Sequence, residues 1–370
     1  MSTVDEQQVT ARTVGSVRVV GAGLLGASVA LGLMAKGVDV IVHDASPSNL
    51  RLAIDYGAGR AAHATDSPAL IVVAVPPDLT AEVVAQELKA YPDALVTDVA
   101  SVKVAPLAEL RVVGADVSRY IGSHPLAGRE RGGAISARAD LFIGRPWVIT
   151  AHAGIPAAQI AVIEHLVLDL GAVPVAMSAE DHDRAVALVS HAPQAISTLL
   201  ARRLVDANPG SLELAGQGLR DTTRIAASAP ELWVQIMGAN SQYIIEVLRD
   251  FRTDLDVMIH ALSDQEARGA RKSLAQILAG GNNGVSRLPG KHGQDRRFAQ
   301  IVVKIDDRPG ELARLLTEIG ELGVNMEDLR LEHSPGAQIG LAEIAVLPEA
   351  EERLVSELEE RGWKIAGAYQ

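Results

Sequence analysis

The chain has 370 residues, 48% hydrophobic and 22% charged, which is long enough for two or three domains with their own cores and too balanced for wholesale disorder. Its 46 acidic against 34 basic residues give a net charge of −12, which disfavours nonspecific nucleic-acid binding but leaves room for a local arginine pocket holding a small anion. The absence of cysteine excludes disulfides, thiolate-bound zinc, iron–sulfur clusters and cysteine nucleophiles.

The N-terminal stretch MSTVDEQQVTARTVGS is polar, lacks the apolar core of a signal peptide, and reads as a flexible tail over residues 1–15. No apolar run approaches the ~18 residues of a membrane helix, so a cytoplasmic protein with no membrane partner is expected. From Val17 the pattern changes. VRVVGAG is a short β-branched run ending in glycines, and LLGASVALGLMAKG has helical periodicity closing on Gly37. VDVIVHD, ALIVVAVPP and DALVTDVAS repeat the strand theme, with TAEVVAQELKAY as a helix between the last two, and YIGSHP and RPWVITA look like further strands. Strands alternating with helices predict a Rossmann-like α/β domain over residues 16–177, its parallel sheet covered on both faces.

From Ser178 the strand-like runs stop. EDHDRAVALVSHAPQAISTLLARRLVDA reads as one long amphipathic helix with Pro193 as a kink or break. PELWVQIMGANSQYIIEVLRDFRTDLDVMIHAL and DQEARGARKSLAQIL continue the helical character, so residues 178–280 are expected to be an all-helical dimerisation and substrate domain. Residues 281–297, rich in Gly, Pro and basic side chains, read as a linker. The rest, 298–370, reads strand, helix, two strands, helix and a last short strand: a ferredoxin-like α+β unit of about 70 residues.

VVGAGLLGAS matches the dinucleotide fingerprint and sits after a strand, opens a helix and lies in the first βαβ unit. Gly21 allows the tight turn, Gly23 lets the backbone approach a pyrophosphate, and Gly26 lets helix and strand pack closely. Leu24 and Leu25 begin the helix whose N–H groups face the anion, and Val75 and Pro76 end a neighbouring strand over the same crevice. Asp44 closes the second strand where an acid reaches the ribose 2′-hydroxyl and repels a 2′-phosphate, so NAD is expected, although Arg51 lies near enough in sequence to favour NADP. Ligands in such sheets bind beyond the carboxyl ends of the strands. That places Ser101 and His124 near the nicotinamide, where a neutral imidazole can take the proton of a substrate alcohol as hydride leaves the same carbon. No metal is expected: His182 and His191 are nine residues apart and share no helix face at one-turn spacing.

GAGLLGAS, TDVASVK, GSHPLAGRERGG followed by ADLF, HDRAVALVSHAPQ and GLRDTTRIAASAPELW together resemble the prephenate/arogenate dehydrogenases of tyrosine biosynthesis, from residue 17 to about 270. The resemblance implies NAD-dependent oxidative decarboxylation of a cyclohexadienyl substrate to a phenol. It implies His124 as acceptor or base at the substrate hydroxyl and Ser101 on the same hydroxyl. It implies Arg224 on a substrate carboxylate, Asp221 and Glu130 in an ionic network that holds Arg224 and gates the pocket, and His191 near the substrate, with Trp233 as an apolar wall. Two positions depart from the family pattern. Gln194 stands where several members carry a second histidine, which leaves prephenate and arogenate both open as substrates, and Arg129 stands where a small hydroxylated residue is common. With only about 16 residues before the first strand, a fused chorismate mutase is not expected. VVKIDDRPGELARLLTEIGELGVNMEDL resembles an ACT module. That implies an amino-acid effector, L-tyrosine, bound near Gly310 and Asn325, and module pairing that reinforces a homodimer. Two other readings fit the same arrangement of elements. A hydroxyacid dehydrogenase or imine reductase typically has a lysine on the helix after the sheet, and residues 180–203 have none; a non-catalytic NAD and amino-acid sensor would need neither His124 nor Arg224.

Overall fold

The computed structural model describes residues 11–127, 133–288, 298–333 and 339–369. It divides into two compact units, residues 1–207 with 222–251, and residues 208–221 with 252–370.

The first unit is built on β1 (Val17–Val20), α1 (Leu24–Met34), β2 (Val40–His43), α2 (Pro47–Asp55), β3 (Arg60–Ala61), β4 (Leu70–Val73), α3 (Pro77–Ala90), β5 (Leu95–Asp98), α4 (Val104–Val112), β6 (Tyr120–Pro125), β7 (Pro146–Thr150), α5 (Ala157–Asp169) and β8 (Val173–Ala176). The strands form one sheet in the order β3-β2-β1-β4-β5-β6-β7-β8. β1, β4, β5 and β6 are buried along their whole length, as expected of β-branched strands covered on both faces. The sheet is not wholly parallel, which corrects the sequence reading: β7 runs antiparallel to β6, pairing His124 with Val148, and β8 then runs parallel to β7. A parallel step needs a crossover helix, and the described residues between β6 and β7 supply only the 3-10 turn Ala134–Ser136. The edge strands β3 and β8 carry no strand signal strong enough to stand out in the sequence. The last residues of the expected tail are pinned: the Thr13 amide and hydroxyl donate to Asp169 Oδ2 at 2.7 and 2.8 Å.

The expected long helix after the sheet is divided. α6 (Ala179–Val186) gives way to a π-helical segment, Ala187–His191, before α7 (Ala192–Arg202). Pro193 has no N–H for Val189, and its ring crowds that carbonyl. The ladder therefore widens one turn before the proline rather than at it. Short helices α8 (Pro209–Leu212) and α9 (Gln217–Thr223) lead to a 3-10 turn at Arg224–Ala226 that packs against α7. α10 (Pro230–Ala239) lies on α3, with Gln235 Nε2 donating to Asp78 Oδ2 at 3.1 Å. The chain then breaks at buried Asn240 before α11 (Ser241–Ser263).

In the second unit α12 (Ala270–Ser286) corrects the expected linker: the helix continues through Gly280, Gly281 and Gly284, since each glycine costs helix about 1 kcal/mol without barring it. Residues 289–297 lie outside the described set. β9 (Ala299–Asp306), α13 (Glu311–Glu321), β10 (Met326–His333), β11 (Ile339–Val346), α14 (Pro348–Glu360) and β12 (Lys364–Tyr369) follow the expected βαββαβ order. The sheet is antiparallel in the order β10-β11-β9-β12, with a core of Ile301, Val303, Leu315, Ile319, Ile344, Leu354 and Leu358 under the two helices.

Candidate active site

The glycine turn after β1 has the shape a dinucleotide needs. Gly21 has φ 101, and a β-carbon there would lie 2.4 Å from the Ala74 carbonyl oxygen. A β-carbon on Gly26 would lie 1.9 Å from the Gly21 carbonyl oxygen, so α1 can approach the turn only with glycine at this position. Gly23 differs: a β-carbon would meet nothing within 4 Å, so the backbone faces open space where a pyrophosphate can come close. Leu24 and Leu25 open α1 and are half-buried, with Val75 half-buried and Pro76 exposed just beyond β4. Asp44, past the end of β2, accepts from the Ala22 amide at 2.7 Å and the Ser46 amide at 2.8 Å, which holds a carboxylate beside the glycine turn. The residues present fit a nicotinamide dinucleotide with a free 2′-hydroxyl. Arg51, on exposed α2, has no described link to Asp44.

His124 is the fifth residue of β6 and is 9% exposed. What lies beneath it is polar but fully paired. Lys103, completely buried, forms an ion pair with Asp98 and donates to the Ser123 carbonyl at 2.7 Å. Asp98 also accepts from the Tyr120 hydroxyl at 2.7 Å and the Ala100 amide at 2.8 Å. Ser123 Oγ donates to the Asp98 carbonyl at 2.7 Å and accepts from Trp147 Nε1 at 3.0 Å. Burial pushes the Lys103 ammonium below its ordinary value, against the pull of the Asp98 carboxylate, and lifts the Tyr120 phenol well above its own. This lattice fixes the backbone on either side of His124. Ser101, half-buried, lies in the turn between Asp98 and Lys103; no described hydrogen bond joins it to His124.

Beyond the strand, His124 Nδ1 lies 2.9 Å from His182 Nε2, their rings edge to face at 5.1 Å between centroids. His182 Nδ1 lies 2.7 Å from Asp183 Oδ1. The Asp183 carboxylate also accepts the amides of Lys103 at 2.8 Å and Val104 at 2.9 Å, capping the N-terminus of α4. Asn240 Nδ2 donates to the Asp183 carbonyl at 2.8 Å and lies 3.0 Å from His191 Nδ1. A carbonyl can only accept, so the orientation of the Asn240 amide is settled, and His191 Nδ1 must be the acceptor. Neutral His191 therefore carries its proton on Nε2. Its ring and that of Trp233 lie edge to face, 6.0 Å between centroids. Burial pushes His191 down to about 4, opposed by nearby Asp183. Burial also holds His124 well below its ordinary value, with the Lys103 ammonium adding to the effect, so both rings are neutral near pH 7.

The chain therefore gathers His124 and His191 into one network through three residues the sequence reading did not assign to the site: His182, Asp183 and Asn240. Gln194 is buried one turn along α7, its Nε2 3.5 Å from Thr198 Oγ1. Arg224 is exposed in the 3-10 turn that packs on α7, the helix bearing Gln194. It lies just past the end of α9, not on the same helix as Asp221. Asp221 is exposed and accepts from Gln217 Nε2 at 2.7 Å. Glu130 and Arg129 lie outside the described residues, so the expected ionic network is not defined by the structure. In the second unit Gly310, with φ 93, precedes α13, and Asn325 is exposed and donates to Glu327 Oε1 at 3.1 Å.

Two family models match adjoining stretches: the nucleotide-binding domain of prephenate dehydrogenase over residues 29–176, and the prephenate dehydrogenase dimerization domain over residues 178–279. A curated relative from Streptomyces niveus, named "Probable prephenate dehydrogenase NovF", is 35% identical over 93% of this chain and 98% of its own length. Among solved structures, prephenate dehydrogenase from Aquifex aeolicus, in complex with hydroxyphenyl propionate and NAD+, superposes with a TM-score of 0.65 at 24% identity, covering 73% of this chain and 98% of that one. Synechocystis arogenate dehydrogenase superposes with a TM-score of 0.60 at 28% identity, covering 73% of this chain and 99% of that one.

Proposed function

Since the chain belongs to the prephenate dehydrogenase family and is an NAD-dependent oxidoreductase, we propose that it oxidises and decarboxylates prephenate to 4-hydroxyphenylpyruvate with His124 as the base. The observation that carries this reading is a neutral, nearly buried imidazole at the carboxyl end of β6, in the same sheet as the dinucleotide turn. NAD, when bound, supplies the hydride acceptor. His124 receives the proton of the substrate hydroxyl as hydride leaves the same carbon. The depressed basicity of His124 is no obstacle, because an oxygen losing hydride from its carbon becomes a very strong acid. The ring carboxylate departs as CO2, its bonding electrons complete the aromatic ring, and the held proton returns to the oxygen as a phenol. Aromatisation drives the step, so the protein needs to orient, polarise and recognise rather than to form a covalent intermediate.

Ser101 is assigned to the same hydroxyl. Arg224, always charged and forked, is assigned to a substrate carboxylate, with Asp221 and Glu130 as its ionic partners. His191, with a proton on Nε2 and Nδ1 filled by Asn240, is a hydrogen-bond donor at that ring position, complementary to an acceptor at His124. Asp44 is assigned to the ribose, and Gly21, Gly23, Gly26, Leu24, Leu25, Val75 and Pro76 to the rest of the cofactor. The family's dimerization domain supports a homodimer through the helical segment. The antiparallel βαββαβ sheet supports an ACT-type module whose effector is L-tyrosine, near Gly310 and Asn325. No described helix is long and apolar enough to cross a membrane, and we assign the protein to the cytoplasm.

Gln194 favours one second reading. A buried neutral amide in place of a titratable ring can meet either a keto acid or an amino acid side chain, so arogenate remains a competing substrate. Reduced-cofactor absorbance with each pairing of prephenate or arogenate with NAD or NADP tests both readings. The expected result is reduction with prephenate and NAD, one CO2 released per turnover. Reduction only with arogenate would move the assignment to that substrate, and no reduction in any pairing would defeat the function.

A further inference from the structure

The family reading makes His124 the base but does not say which of its ring nitrogens receives the proton. The hydrogen-bond chain behind it does. Asp183 is an acceptor on both carboxylate oxygens, since each takes a backbone amide at the start of α4. His182 Nδ1, 2.7 Å from Asp183 Oδ1, must therefore carry a proton. In a neutral His182 ring the other nitrogen, Nε2, is then a bare lone pair. Facing it at 2.9 Å is His124 Nδ1, which must donate. A neutral His124 has a single ring proton, now committed to Nδ1, so its Nε2 is an acceptor, and that atom has no partner among the described residues.

We propose that His182, held by Asp183, is a positioning residue that fixes His124 in the Nδ1–H tautomer and so presents Nε2 as the base. The inference rests on His124 as the base and adds the two residues that set its state. The sequence of donors runs one way: His124 Nδ1–H to His182 Nε2, then His182 Nδ1–H to the Asp183 carboxylate. When the substrate hydroxyl gives its proton to His124 Nε2, the imidazolium formed keeps Nδ1–H on His182, and the buried carboxylate two bonds along opposes the new charge. His182 and Asp183 neither gain nor lose a proton in the step. Other charged or titratable groups near His124 are Lys103, paired with Asp98, and His191, whose Nδ1 is filled by Asn240. His182 is itself fully buried, with Asp183 1% exposed, so the orientation of the pair is fixed by the fold and not by solvent.

The test reads the tautomer directly. Protein labelled with 15N in its ten histidines is examined by imidazole nitrogen–carbon-proton correlation near pH 7, with His124→Asn used only to assign the His124 signals. The expected spectrum has His124 protonated at Nδ1 and bare at Nε2. In His182→Leu, the ring is expected to revert to the Nε2–H form and kcat to fall at least 100-fold, with KM for prephenate and NAD affinity changed less than threefold. His182→Gln, whose side-chain carbonyl can accept from Nδ1–H, should restore at least tenfold of that loss. A wild-type spectrum with the His124 proton on Nε2 overturns the proposal with no variant needed, even if His182→Leu does not fold. It is equally overturned by a folded His182→Leu with wild-type kcat, or by His182→Gln no better than His182→Leu. The spectrum is taken on resting protein, so an absence of dehydrogenase activity would defeat the functional reading and leave the tautomer result standing.

Discussion

Acid should weaken this protein through His191, and the size of the effect follows from its surroundings. The ring is 1% exposed, its Nδ1 is filled by Asn240, and burial pushes it down to about 4, against about 6.5 in an unfolded chain. A histidine whose folded value is depressed binds its proton more readily when unfolded. Its contribution to stability is therefore complete above about pH 6.5 and is lost as the pH falls toward 4. At pH 5 the unfolded ring is almost wholly protonated and the folded ring about one-tenth, a loss of about 2 kcal/mol relative to pH 7. Urea unfolding of the wild type and His191→Gln at pH 7 and pH 5, followed by tryptophan fluorescence, isolates this from other titrations. The variant's stability deficit at pH 7 should shrink by about 2 kcal/mol at pH 5, with slopes m unchanged. A deficit equal at the two pH values within a few tenths of a kcal/mol would overturn this, because the folded ring would then take up its proton as readily as the unfolded one.

The glycine turn separates folding from binding. Gly26→Ala should lower stability by about 3 kcal/mol, because its β-carbon would lie 1.9 Å from a backbone oxygen, and thermal melting checks this. Gly23→Ala has open space around it, so its melting temperature should match the wild type while NAD affinity, read by fluorescence titration, falls. Arg224→Ala should raise KM for prephenate roughly 10- to 100-fold while kcat changes little, in steady-state assays, as expected when a charged hydrogen bond to the substrate is lost. Asp44→Asn should shift the ratio of kcat/KM values for NAD and NADP toward NADP, since a carboxylate no longer repels a 2′-phosphate.

Local signals were legible where residues act through their neighbours in sequence. The dinucleotide turn works through glycines at fixed offsets, and the βαββαβ order of the C-terminal unit follows from alternating apolar runs; both are present as expected. The antiparallel β7 was not legible, because strand direction depends on what connects β6 to β7 and not on the strand residues themselves. Nor was the helical run through Gly280, Gly281 and Gly284, where three weak helix formers are carried by the turns before them. The widened turn at Ala187–His191 was half legible: Pro193 announced a break, but the steric conflict falls on the carbonyl four residues earlier. In the site, His124 stood out in its strand-end loop. Its partner did not, because His182 is 58 residues away in the chain and only the packing of α6 on the end of the sheet brings the rings together. The available signal was the adjacent pair His182–Asp183 on a helix face shared with Val186 and Ala187, two polar residues where the periodicity calls for burial. Asn240 gave no signal of its own, since an asparagine between two helices reads as a simple break.

In the proposed reaction His124 serves as the base of an NAD-dependent oxidative decarboxylation. The most direct measurement is kcat for prephenate oxidation by His124→Asn against the wild type, with NAD affinity and melting temperature determined on the same preparations. The expected result is a kcat lower by about 10²- to 10⁴-fold with NAD binding and folding retained. A His124→Asn protein that binds NAD and turns prephenate over at the wild-type rate would contradict it.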